Sequence, residues 1–75
     1  MHDLHLANQI VKLAKEHAKG KPVKIISLEL GDILEHGENI TPENLKYNIN
    51  LLLPGVDVNI KKIEGSSWRL MDIHI

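Results

Sequence analysis

Cysteine is absent from this 75-residue chain, which removes disulfides, thiolate nucleophiles and Cys-based zinc sites together. Any metal it holds must be bound through nitrogen and oxygen, and no structural zinc is expected. Aromatic residues are one Trp and one Tyr, and nine Lys and Arg are spread along a chain of net charge −1. Neither a basic stripe nor stacking platforms are present, so nucleic acid is not the expected partner. No apolar run approaches the ~18 residues that span a bilayer, which argues against membrane insertion. The start of the chain is polar where a secretory signal has an apolar stretch, so a cytoplasmic protein is expected.

What the chain does have is enough aliphatic residue for one small core. Its length allows one domain, 1–75, near the lower limit for folding without staples. Leu4, Ala7, Val11, Ala14 and Ala18 fall at helical spacing, widened by Leu6, Ile10 and Leu13, and predict an amphipathic helix that Asp3 can cap and Gly20 ends. Val23 to Leu30 reads as a strand with Ile26, Leu28 and Leu30 facing the core. Residues 33–40 hold Gly37 with Glu35, His36, Glu38 and Asn39, and read as a polar loop without periodicity. Thr41-Pro42-Glu43 starts a second helix, with Leu45, Ile49, Leu52 and Leu53 as its stripe and Asn48 on the same side. Val56, Val58 and Ile60 mark a strand, and Met71, Ile73 and Ile75 one face of a last strand from Trp68. The short Gly65-Ser66-Ser67 connection predicts that these two strands form an antiparallel hairpin. The expected fold is a two-layer α/β (α+β) arrangement in the order α-β-α-β-β, a three-stranded mixed sheet with both helices on one face.

The chemistry concentrates at Met1-His2-Asp3. An initiator Met is normally trimmed only before a small residue, so Met1 is expected to remain and keep its free amine. That amine, the His2 amide nitrogen and a His2 ring nitrogen can form fused chelate rings around a square-planar ion, as Ni(II) or Cu(II) prefer. A neighbouring amide, a carboxylate such as Asp3, or a second His could fill the fourth position. His36, beside Glu35 and Glu38, is a further candidate ligand if its loop reaches the N-terminus. The other histidines, His5 and His17 included, read as surface residues. An acid/base pair from His36 with Glu35 or Glu38 is the best case for an enzyme, and with no activated nucleophile in the chain a non-enzymatic role is expected.

Four stretches carry a family resemblance: Met1-His2-Asp3-Leu4 with Leu6-Ala7, Leu28-Glu29-Leu30-Gly31-Asp32, Thr41-Pro42-Glu43-Asn44-Leu45, and Pro54-Gly55 through Glu64-Gly65. Together they resemble the HypA/HybF family of nickel metallochaperones, which mature NiFe hydrogenases and sometimes urease. The resemblance implies Ni(II) binding through His2, with Asp3 where members typically carry a glutamate, and a maturation GTPase or nickel-enzyme precursor as partner. Two features depart from the pattern. The family's zinc-binding insertion with its two Cys pairs is missing between Gly65 and Trp68, and the loop before the second helix is longer than usual. The alternative is therefore a HypA-like interaction or structural module that has lost nickel delivery.

Overall fold

The computed structural model describes residues 5–35 and 37–75. Its elements run α1 (His5–Ala18), β1 (Ile25–Leu30), β2 (Leu34–Glu35), β3 (Glu38–Asn39), α2 (Pro42–Leu52), β4 (Asp57–Lys62) and β5 (Trp68–His74). Helix α1 forms because its apolar residues return every three or four positions, and Leu6, Ala7, Ile10, Val11, Ala14 and Ala18 are all buried. Helix α2 starts where the Thr41 hydroxyl accepts the Asn44 N–H at 3.1 Å, with Pro42 already holding the φ of a first helical turn. It buries Leu45, Asn48 and Ile49. The two stripes close over one face of a three-stranded mixed sheet, where Ile26, Leu28, Leu30 and Val58 complete the core. The two-layer arrangement expected from the sequence is thus the fold.

The order within the sheet corrects one expectation. Strands β4 and β5 do not form a hairpin; β1 lies between them, parallel to β4 and antiparallel to β5. Residues 63–67 cross the end of β1 instead of turning tightly. Five residues can span the ~10 Å between two strands separated by a third. The crossing is fastened by backbone bonds: Ile63 N–H to the Leu30 carbonyl at 2.9 Å, Gly31 N–H to that of Ser67 at 2.8 Å, and Asp32 N–H to that of Gly65 at 2.7 Å. The central position of β1 is consistent with its strictly alternating burial, since both neighbours pin its register.

Strand β5 corrects a second expectation. Its alternation is broken by a bulge: Ser27 pairs with Asp72 while Leu28 pairs with Leu70, so Met71 is the extra residue. The inward set is therefore Trp68, Leu70 and Ile73, which pack against the core. Met71 and Ile75, expected to face inward, are each about half exposed. Ile73→Ala should cost about 1–2 kcal/mol, below the range for a fully buried residue, and Met71→Ala less than about 0.5 kcal/mol. Equal costs in urea titrations would rule the bulge out.

The stretch 33–40 is the third correction. It is a small β-hairpin in which Leu34 pairs with Asn39 and Glu35 with Glu38, closed at its base by the Ile40 N–H on the Ile33 carbonyl at 2.8 Å. Gly37 holds φ +80°, which lets so short a connection reverse the chain. Ile33 and Ile40 anchor the hairpin by packing against the core.

Candidate metal centre at one end of the sheet

The candidate ligands Met1, His2, Asp3 and His36 lie outside the described residues. What the structure fixes is the framework next to them. The connection from Ala18 to Ile25 is short, so α1 ends near the start of β1 and must begin near its end. The lengths agree: 14 helical residues rise ~21 Å and six strand residues span ~20 Å. The β2–β3 hairpin follows Leu30 directly, and α2 runs back toward the start of β4, which is parallel to β1. His5, the hairpin, Thr41 and the 63–67 crossing therefore share the end of the sheet where β1 finishes.

His17 belongs to the opposite end, where it borders a hollow with Leu70, Met71, Asp72 and Ile73. It lies about 18 Å along the helix from His5, too far to share an ion with it. His5 is exposed, and its Nε2 is 3.3 Å from Gln9 Nε2, one turn on. Glu38 is exposed on β3, opposite Glu35 in the hairpin register. The Thr41 hydroxyl is engaged in the α2 cap. Among the described residues, no three His, Cys, Asp or Glu side chains are grouped to hold a metal ion.

Two helix N-termini at one end bring partial positive charge there, which favours anionic groups. A divalent cation at this end needs donors that cancel its own charge, such as deprotonated amide nitrogens or carboxylates. Sequence reasoning missed one contributor. The Lys62 ammonium bonds the Gly31 carbonyl at 3.1 Å and Asp32 Oδ1 at 2.9 Å, tying the end of β4 to that of β1. Both side chains are well exposed, so the pair contributes at most about 1 kcal/mol. Its place on the last paired position of β4 became visible only with the parallel register, in which Leu30 faces Lys62.

Comparison of the chain with protein-family models, with curated proteins and with solved structures gives no match. No helix among the described residues is long and apolar enough to cross a membrane.

Proposed function

We propose that the chain is a nickel-binding accessory protein of the metallochaperone type it resembles, taking up Ni(II) as cargo at its N-terminus. It would pass the ion to a maturation GTPase or to the precursor of a NiFe hydrogenase or another nickel enzyme, in the cytoplasm. The observation that carries this reading is the Met1-His2-Asp3 start, a donor set of amine, amide and imidazole suited to a planar ion. It leads into a helix whose first turn shares one end of the sheet with the hairpin and the start of α2. That placement leaves His36 a route to the same ion, as a fourth ligand or as a group supporting one. Nothing in this role makes or breaks a bond in a substrate, so the protein acts as a carrier and not as an enzyme. The competing reading, an interaction module without delivery, draws on the two serines that stand between Gly65 and Trp68 where the family it resembles carries its zinc-binding insertion.

The test is a nickel titration of the untagged chain followed by visible absorption. One equivalent should give the band of a planar complex, and His2→Ala or acetylation of the Met1 amine should each abolish it. His36→Ala should weaken binding by about tenfold, the effect of losing a supporting group. His17→Ala, at the far end, should change nothing. Full affinity in a chain with a blocked amine would overturn the reading.

A further inference from the structure

The face of the sheet turned away from the helices carries a second feature, independent of the nickel reading. Lys61 on β4, Glu29 on β1 and Arg69 on β5 stand in one row across the sheet, since Glu29 pairs with both neighbours. Arg69 Nη2 is 3.3 Å from Glu29 Oε1, yet the Arg69 side chain remains 70% exposed. Lys46, from the exposed side of α2, borders the same region along with Lys61, Ser27, Asn59 and Met71, around an open hollow of about 450 Å³. Two lysines thus border the hollow against its one lining carboxylate, Glu29, with Arg69 beside it in the row, on a chain whose overall charge is −1. Among the described residues neither Lys46 nor Lys61 has an ion-pair partner. The bulge turns the Met71 thioether out beside them.

We propose that this hollow is a docking site for an acidic, extended segment of a partner protein, its carboxylates meeting Lys46 and Lys61 and an aliphatic side chain lying on Met71. The charge balance selects an anionic occupant. The lining selects a segment over a single small anion, because the lysines share the hollow with the apolar Met71 of β5, two strand widths, ~10 Å, from Lys61 on β4. No aromatic residue lines the hollow, so it offers no stacking surface to a nucleic acid. Flexible carbon chains on Met and Lys suit a site that accepts an extended segment.

The experiment uses the full chain without metal, labelled with ¹⁵N, and follows amide shifts on adding a blocked peptide of alternating glutamate and leucine. Shifts should centre on Ser27, Glu29, Asn59, Lys61 and Met71 and weaken as salt is raised. The double variant Lys46→Glu with Lys61→Glu should lose at least about tenfold in affinity, because like charges then face each other. Lys46→Glu alone, which leaves the sheet untouched, should lose part of it. The proposal is overturned if no localised shifts appear or if a lysine–leucine peptide binds equally well. Equal shifts with inorganic phosphate would reduce the site to a general anion patch, and an unchanged affinity in the double variant would remove it.

Discussion

Gly31→Val should destabilise the fold by at least about 3 kcal/mol and lower its melting temperature sharply. A Cβ at position 31 would lie 2.6 Å from the backbone oxygens of both Gly65 and Ser67. These are main-chain atoms held by the Gly31 and Asp32 amides, so no side-chain rotation can make room. Inserting a side chain must push the 63–67 crossing off the end of β1 and break the bonds that fasten it. Total stability for a domain of this size is only roughly 4–11 kcal/mol, and a loss of at least about 3 kcal/mol consumes much of it. Circular dichroism during heating reads the outcome. A melting temperature within a few degrees of the parent would show that the crossing has slack and that the close approach is not a constraint.

Leu28→Ala should be nearly as damaging, with an expected cost of about 2–5 kcal/mol in urea unfolding. Leu28 sits at the middle of the central strand, is 1% exposed, and belongs to the cluster formed by both helices and the sheet. Its strand is held on both sides, by Ile60 and by Leu70, so the backbone cannot close over the space left behind. A cost below about 1 kcal/mol would mean that the core is looser than its burial implies.

Much of this fold was legible in local patterns. The spacing of Ala7, Val11, Ala14 and Ala18 has one reading, a helix with a single buried face, and the Thr41-Pro42-Glu43 start specifies a helix by hydrogen bonding and fixed φ. Ile26, Leu28 and Leu30 announced their strand in the same way. What the pattern could not carry was strand order. A five-residue connection suits a hairpin as well as a crossing, and the choice depends on β1, far away in sequence, occupying the centre. The bulge left a trace: Leu70 and Met71 are adjacent apolar residues, so a period of two cannot hold through both. At Gly37 a permissive turn residue was present, but it was flanked by charged residues that suggested solvent. The candidate ligands were legible as chemistry, an amine and imidazole at one terminus. The framework around them, with both helix starts and the hairpin at one end, came from topology, and so did the cationic row on the open face.

The central position of β1 also sets the time at which this protein can exist. Its partners begin 32 residues downstream, at Asp57, and the other edge is supplied by the last strand, Trp68–His74. A nascent chain that has emerged only as far as α2 has two amphipathic helices and a lone apolar strand, with no sheet to receive them. Long-range pairing of this kind must bear loop-closure entropy before any contact compensates it. The first half of the chain therefore waits for the second, and its aliphatic stripe stays open to chaperones or to aggregation until β4 and β5 arrive. Folding of this unit is gated by the emergence of β5, so the end of the sheet shared by α1, the hairpin and α2 is completed only after all three have been made.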